Sequence, residues 1–443
     1  MSARKTALMA LMAYRRNNAW SDRALSGLIE KSDISARDAA LATHIFNGVL
    51  QNMALCDYDA AKFSSIGLKK VEPRVLDILR ISIYQIIFLT KIPYSAAVSE
   101  GVELAKTVSN PRAAGFVNAV LRKVSEAAAN GRLPEIVGKT ETERLSIKYS
   151  HPEWLVREFC GILGEDGTES LLAANNLADT PVTAQINTLR AGTDDVLSML
   201  EAEGVSVRRH PWLPDCIELH SAGSMERLDA FTNGYLYVQD AAARLAVIAA
   251  GVKPCDCVID GCAAPGGKSF ASAIAMRNTG RVTACDINES KLRHIESGAT
   301  RLGIGIIEPV CRDAAVHSDE YSGTADVVIA DVPCSGLGVI RKKTEIRYKD
   351  ERDIAALPDV QKRIIRSLSS YVKPGGTLLY STCTVLKHEN EDIAEWFLAK
   401  SSGFRPEDFE LPGDLRSEGG RLTLWPHIHG TDGFFICKFR REP

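Results

Sequence analysis

Two cysteines and four aspartates in the C-terminal half of the chain have the residue types and spacing to carry chemistry. Cys334 follows Asp331-Val332-Pro333, and Cys383 follows Tyr380-Ser381-Thr382. A lone buried cysteine is usually a small inert hydrophobe. Two of them, each just past a strand-like segment, are placed to present a thiolate as nucleophile. Upstream, Val258-Ile259-Asp260-Gly261-Cys262-Ala263-Ala264-Pro265-Gly266-Gly267-Lys268-Ser269 passes from an apolar strand through small residues into a helix start. Small residues let the backbone approach a ligand, and a helix N-terminus offers it unpaired N–H groups. Asp286 ends Arg281-Val282-Thr283-Ala284-Cys285, about 20 positions further on, where an acidic side chain takes ribose hydroxyls in dinucleotide-type folds. Asp313 in Cys311-Arg312-Asp313-Ala314 suits an adenine amino group, and Asp331 closes the apolar run Val327-Val328-Ile329-Ala330.

The Gly-rich loop has a rival reading as a P-loop, which requires G-x-x-x-x-G-K-[ST]. Counting back from Gly267-Lys268-Ser269, the first position is Cys262 instead of glycine, and Pro265 has no N–H for a phosphate. That reading also leaves Asp286 and Asp313 without a role. A loop that merely turned the chain would leave Asp260, Lys268 and Asp286 as unexplained polar groups at strand ends. An adenosine-type ligand accounts for all of them.

These side chains require a sheet to hold them. From about residue 234 the pattern alternates strand and helix, which predicts a mainly parallel sheet with crossover helices. Strands are expected at 256–260, 281–286, 306–310, 325–331 and 376–382, and helices at 268–277, 289–302, 354–372 and 387–400. Pro374-Gly375-Gly376 is read as the turn into the last of these strands. Leu422-Thr423-Leu424 and Gly433 to Phe439 read as two closing antiparallel strands. Ligands of such a sheet gather at the carboxyl ends of its strands, which places Asp260, Asp286, Asp313, Asp331 and Ser381-Thr382-Cys383 on one edge.

Residues 1–130 carry apolar side chains three and four apart, as in Ala7-Leu8-Leu11-Met12 and Leu41-Ile45-Val49-Leu50, and predict an all-helical bundle. Asp33 and Ser35 mark one helix start, and Pro93 and Pro111 break the chain between later helices. Residues 131–178 also read as helical. Residues 181–232 contain strand-like 182–187 and 216–219 around a helix at 194–203, a small α/β subdomain. Domains are therefore expected at 1–135, 136–233 and 234–443. The net charge of −3 hides an asymmetry: residues 1–130 hold 17 Lys+Arg against 11 Asp+Glu, and the remainder 36 against 45. A basic N-terminal part, with Arg4, Lys5, Arg15, Arg16, Arg112, Arg122 and Lys123 near the bundle ends, points to nucleic acid, although a solvated helical face gives the same count. At 443 residues with 45% hydrophobic content the chain can bury several cores. Eleven cysteines without a C-x-x-C pair argue against a zinc site or a disulfide framework. No signal peptide or bilayer-spanning run is found, so a reducing cytoplasm is expected.

Pro93-Tyr94-Ser95-Ala96-Ala97-Val98-Ser99-Glu100-Gly101-Val102-Glu103-Leu104-Ala105-Lys106, followed by Gly115-Phe116-Val117-Asn118-Ala119-Val120-Leu121-Arg122, resembles the NusB-type RNA-binding antitermination domain. The Gly-rich loop, the Asp-x-Pro-Cys run and the Thr-Cys run together resemble the RNA cytosine-C5 methyltransferases. The whole chain resembles the bacterial 16S rRNA members that join such a domain to a NusB-like one. The resemblance implies an N-terminal all-α bundle, a linker subdomain and a Rossmann-like methyltransferase. It implies S-adenosylmethionine held by Cys262, Ala263, Ala264, Pro265, Gly266, Gly267 and Lys268, with Asp286, Asp313 and Asp331 completing the site and no metal. Cys383 would be the nucleophile that adds to cytosine C6, Cys334 would assist product release, and Asp331 would hydrogen-bond the base. The implied partner is 16S rRNA or a small-subunit assembly intermediate, bound by a monomer, with no DNA and no membrane. Val332 stands where alanine is common, and Lys342-Lys343-Thr344-Glu345 varies a run usually rich in Arg, Pro and Asp. Arg341, Lys342, Lys343 and Arg347 are candidates for flanking phosphates, with a solvated basic loop as the alternative, and Gln239-Asp240 for the cleft wall.

Three alternatives remain in view. In DNA cytosine-C5 methyltransferases a Pro-Cys thiol attacks, which would make Cys334 the nucleophile, but their Glu-Asn-Val motif is absent here. A non-catalytic RNA-binding ribosome assembly factor could retain the domain for structure. The P-loop enzyme is the most distant.

Overall fold

A computed structural model describes residues 2–17, 21–30, 34–177, 180–220 and 223–443. The chain forms two compact units, Met1–Asn176 with Lys343–Tyr348, and Leu177–Lys342 with Lys349–Pro443. No described helix is long and apolar enough to cross a membrane.

The first unit is helical. Its helices are α1 (Ala3–Asn17), α2 (Ser21–Glu30), α3 (Ala36–Gln51), α4 (Met53–Phe63), α5 (Pro73–Phe88), α6 (Tyr94–Val108), α7 (Pro111–Ala129), α8 (Glu141–Tyr149) and α9 (Glu153–Asn175). Their ends follow local chemistry. Ser35 caps α3 through the Asp38 N–H, Asn110 caps α7 ahead of Pro111, and Thr140 caps α8 through the Glu143 N–H. Asp33, the other residue read as a helix start, lies outside the described residues. The apolar stripes meet in one core that includes Leu8, Leu11, Ile45, Phe46, Val49, Ile78, Val117 and Leu121. Two of the basic residues are tied into the bundle: Arg4 Nε donates to Gln85 Oε1 at 2.7 Å, and Arg15 pairs with Asp77. Arg112, Arg122 and Lys123 are exposed along α7.

The second unit begins with β1 (Val182–Ile186), α10 (Thr193–Ala202), β2 (Ser206–Arg209), β3 (Cys216–His220), α11 (Asp229–Thr232) and β4 (Leu236–Val238). These strands form an antiparallel sheet in the order β2-β3-β1-β4. Strands β2 and β4 were not anticipated. β2 is the mostly exposed segment Ser-Val-Arg-Arg, without apolar alternation, and β4 has three residues. Neither is long or patterned enough to announce itself.

The larger sheet follows. Its elements are α12 (Ala241–Ala250), β5 (Cys257–Asp260), α13 (Gly267–Ala275), β6 (Arg281–Asp286), α14 (Glu289–Leu302), β7 (Ile307–Cys311), β8 (Ala325–Asp331), α15 (Glu351–Ala355), α16 (Leu357–Ser369), β9 (Val372–Thr382), α17 (Glu391–Lys400), β10 (Phe404–Pro406), β11 (Glu410–Leu411), β12 (Leu415–Arg416), β13 (Arg421–Leu424), α18 (Pro426–His429) and β14 (Phe434–Arg441). Eight strands join, seven of them in the order β10-β14-β9-β8-β5-β6-β7, with β13 on β14. Strands β5 to β9 run parallel and β14 is antiparallel to β9. Alternate residues of the central strands face opposite ways. Val258, Val327, Ile329 and Leu379 pack with α12, α13 and α14, whereas Ile259, Val328, Ala330 and Tyr380 pack with α16 and α17. The strand order reverses between β5 and β8, which opens a crevice beyond their carboxyl ends.

Two expected features take another form. Pro374-Gly375-Gly376 is a bulge inside β9 and not a turn before it. Ala325 pairs with Val372 and Val327 with Thr377, so extra residues of β9 loop out where Gly375 takes φ 71°. The helix expected at 354–372 is split after Ala355 and ends at Ser369.

Candidate active site

The crevice between β5 and β8 is walled by the loop that links β5 to α13. Asp260, the last residue of β5, is fully buried. Its Oδ2 accepts a hydrogen bond from Ser269 Oγ at 2.7 Å, and its Oδ1 has no protein partner. Burial pushes this carboxyl up to about 6, against the opposing pull of Ser269 and Lys268. Gly266 takes φ 112°, and a Cβ there would come within 2.5 Å of Phe270 Cζ, so the turn requires glycine on both counts. Asp286 Oδ2 accepts the Ala264 N–H at 3.3 Å and Oδ1 the Asn288 N–H at 2.9 Å, which ties the loop to the end of β6. Gln239, Asp260, Ala264, Lys268 and Asp331 are among the residues lining a cavity of about 170 Å³. Cys262, Ala263, Pro265 and Gly267 line it too. Asp313 is exposed past the end of β7 and caps the Ala315 N–H at 2.9 Å, outside that cavity. A buried carboxylate oxygen with no partner, facing a loop built of small residues, suits a ligand that brings its own donor.

Asp331 ends β8 and joins the loop to the thiols. Its Oδ2 accepts Lys268 Nζ at 2.7 Å and its Oδ1 accepts Ser381 Oγ at 2.8 Å. Burial alone would lower the Lys268 ammonium, but attraction to Asp331 holds it above its ordinary value. Cys334 Sγ and Cys383 Sγ lie 3.2 Å apart, a hydrogen-bonding distance for sulfur. The hydrogen bond from Cys334 depresses the Cys383 thiol below its usual value, and Lys268 assists against the cost of burial. The same contact, with burial, drives the Cys334 thiol well above its usual value. The pair therefore favours a thiolate on Cys383 and a proton on Cys334. Cys262 is driven the opposite way from Cys383, mainly by burial and then by Asp260, so it is a poor nucleophile.

Sequence reading overlooked the groups that hold these thiols. Ser335, Gln361, Thr384, Glu389 and Asn390 are buried polar residues around Cys334 and Cys383. Gln361, Glu389 and Asn390 fall in segments expected to be helical, where polarity was their only signal, whereas Ser335 and Thr384 directly follow the two cysteines. Three assignments to flanking phosphates are corrected. Arg341 and Lys342 pair with Asp432 at 2.9 Å each and with Asp240. Arg347 belongs to the helical unit, where it is fully buried and donates to the carbonyls of Gln51, Tyr149 and Ser150 and to Asn176 Oδ1. A guanidinium enclosed in that way is not available to RNA. Gln239 does line the crevice, whereas Asp240 caps α12 through the Ala242 N–H.

Residues 247–440 match the 16S rRNA methyltransferase RsmB/F family, residues 1–126 the NusB family, and residues 151–226 the ferredoxin-like domain of RsmF/B-like methyltransferases. The chain is 36% identical to the probable ribosomal RNA small subunit methyltransferase B of Bacillus subtilis (strain 168), across 100% of this chain and 99% of that protein. The chain belongs to the ribosomal RNA small subunit methyltransferase B family. It is also 30% identical to the probable methyltransferase B of Synechocystis sp. (strain ATCC 27184 / PCC 6803 / Kazusa), with both chains covered in full. Among solved structures, that of PH0851 superposes with a TM-score of 0.82 at 28% identity, covering 99% of this chain and 98% of its own. Methyltransferase B membership accounts for the three-part layout: a NusB-like bundle, the β2-β3-β1-β4 sheet, and the parallel sheet that carries the crevice.

Proposed function

We propose that this chain transfers a methyl group from S-adenosylmethionine to C5 of a cytosine in 16S rRNA through a covalent adduct between Cys383 and C6 of the base. The observation that carries the reading is the thiol pair at 3.2 Å, with Asp331 bonded both to Lys268 of the Gly-rich crevice and to Ser381, two residues before Cys383. The Cys262–Lys268 loop, Asp260 and Asp286 would hold the cofactor, with Asp313 toward its base. When bound, S-adenosylmethionine supplies an electrophilic methyl group.

The protein's own side chains would do the remaining work. C5 of cytosine is a weak nucleophile until C6 carries a new bond. The Cys383 thiolate forms that bond, and the electron pair displaced from C5–C6 makes C5 nucleophilic. Asp331, steadied by Lys268 and Ser381, would hydrogen-bond the base edge and favour addition. After C5 gains its methyl, a base removes the C5 proton, the C5–C6 double bond re-forms and the C6–S bond breaks. Cys334, which holds a proton beside the departing sulfur, would assist that release. The target must be unpaired or flipped out of its stack to reach the crevice. Exposed Arg112, Arg122 and Lys123 of the NusB-like bundle would add phosphate contacts.

The test compares wild type, Cys383→Ala and Cys334→Ala on unmodified 16S rRNA and on small-subunit particles, with methyl-labelled S-adenosylmethionine. The expected result is label at cytosine C5 with wild type, neither label nor adduct with Cys383→Ala, and a denaturation-resistant protein–RNA adduct with Cys334→Ala. Full methylation by Cys383→Ala would transfer the nucleophile's role to Cys334. Binding without label on either substrate would favour an RNA-binding assembly factor.

A further inference from the structure

We propose that Glu389, working with Gln361 and Asn390, is the positioning residue that sets the two thiols in register and puts a carboxylate beside Cys334. This inference rests on the two-cysteine reading above. Glu389 lies in a short turn, Lys387–Glu389, between Cys383 and α17, and is fully buried. Its Oε2 accepts the Ser335 N–H at 2.9 Å and Gln361 Nε2 at 2.9 Å. Gln361 Nε2 also donates to the Pro333 carbonyl at 3.0 Å. Pro333 and Ser335 flank Cys334, so the carboxylate and the amide grip the backbone on both sides of that thiol.

Asn390 does the same for the other thiol. Its Oδ1 accepts Thr382 Oγ1 at 2.6 Å and its Nδ2 donates to the Thr384 carbonyl at 3.0 Å, on either side of Cys383. The two grips are joined. Ser335 Oγ donates to Thr384 Oγ1 at 2.8 Å, and Tyr380 OH donates to the Glu389 carbonyl at 2.6 Å. Adjacent residues thus each bond to the chain flanking one of the two cysteines.

A stability role alone explains this poorly. Glu389 Oε1 and Gln361 Oε1 have no hydrogen-bond partner among the described residues. A buried carboxylate left half satisfied is costly. What it supplies is negative charge beside Cys334, which opposes ionisation of that thiol and leaves Cys383 as the thiolate. Glu389→Gln keeps the shape and an oxygen acceptor for Ser335 while removing the charge.

The experiment exposes the full chain, without RNA, to limiting iodoacetamide and maps the alkylated cysteine by mass spectrometry, with methyl transfer to 16S rRNA and thermal melting in parallel. In wild type, Cys383 should be alkylated about tenfold over Cys334. In Glu389→Gln that preference should fall toward unity and methyl transfer should fall about tenfold, because the geometry is kept while the thiolate on Cys383 is no longer favoured over one on Cys334. Glu389→Asp should recover part of the preference. Wild-type preference and turnover in Glu389→Gln would overturn the proposal, as would a wild type alkylated mainly on Cys334. If Glu389→Gln does not melt cooperatively, Gln361→Met decides. It keeps the carboxylate but frees Pro333, and should retain the Cys383 preference while losing about tenfold in turnover; unchanged turnover would refute the grip on Cys334. Failure of the functional reading would show separately, as a wild type that labels no cytosine C5 while the alkylation preference still depends on Glu389.

Discussion

Gly338 lies where the Pro-Cys loop, the tail leading into β14 and the Cys383 backbone meet, and Gly338→Ala is predicted to cripple the enzyme without touching a reactive group. Gly338 N–H donates to the Cys383 carbonyl at 2.9 Å, and its own carbonyl accepts the Gly433 N–H at 2.8 Å. A Cβ at Gly338 would lie 1.9 Å from Gly433 O and 2.9 Å from Cys383 O. Both obstacles are backbone, so neither can swing aside as a side chain would, and Gly433 must retreat by about 1 Å to relieve the closer contact. Loss of the two hydrogen bonds at about 1 kcal/mol each, with overpacking of 1–3 kcal/mol, gives a destabilisation of roughly 3–5 kcal/mol if the loop holds its place. If the loop yields, the strain falls and the Cys383 thiol shifts by up to an ångström, for which a rate loss of about a hundredfold is expected. Methyl transfer to 16S rRNA, thermal melting and calorimetric titration with S-adenosylmethionine separate these outcomes. Cofactor binding should persist, because Gly338 is not among the residues lining the cavity. Gly305→Ala, with nothing within 4 Å of its added methyl, is the control and should change stability by less than about 0.5 kcal/mol. A Gly338→Ala protein that melts with wild type and turns over within about threefold of it would refute the reasoning.

Arg347→Met should destabilise the helical unit by about 3 kcal/mol, seen as a lower melting temperature. It strands the Gln51 carbonyl and the Asn176 Oδ1 in a buried site, while the Tyr149 and Ser150 carbonyls keep Asn176 and Tyr348 as donors. Asp260 keeps its proton up to about pH 6 in the folded chain, against 3.8 as its ordinary value. Its contribution to stability is therefore complete below pH 3.8 and is lost as pH rises through 6, by up to about 3 kcal/mol. Asp260→Asn, which cannot ionise, should flatten that decline in urea unfolding midpoints between about pH 4 and 7; an unaltered slope would show that Asp260 is not its source.

The sequence by itself determined the elements that carry the candidate site. Alternating strand and helix periods, with aspartates at the ends of apolar runs, are local patterns, and β5, β6, β7 and β8 lie within a residue of where those patterns placed them. Asp260, Lys268 and Asp331 meet at one crevice because strands β5 and β8 are neighbours at the point where the strand order reverses. Only the tertiary structure decided the rest. Cys334 and Cys383 are 49 residues apart in the chain, and they touch because Asp331 of β8 stands opposite Ser381 of β9 in a parallel register that no single segment encodes. Arg347 reads as a phosphate ligand from its neighbours in sequence and proves to be a buried anchor of the helical unit. Glu389 and Gln361 fall in segments expected to be helical and prove to be buried, bonded to the backbone on both sides of Cys334. Periodicity records which face a residue turns to its own helix or strand, whereas a buried polar group is defined by partners elsewhere in the chain, and those partners exist only once the sheet has closed around them.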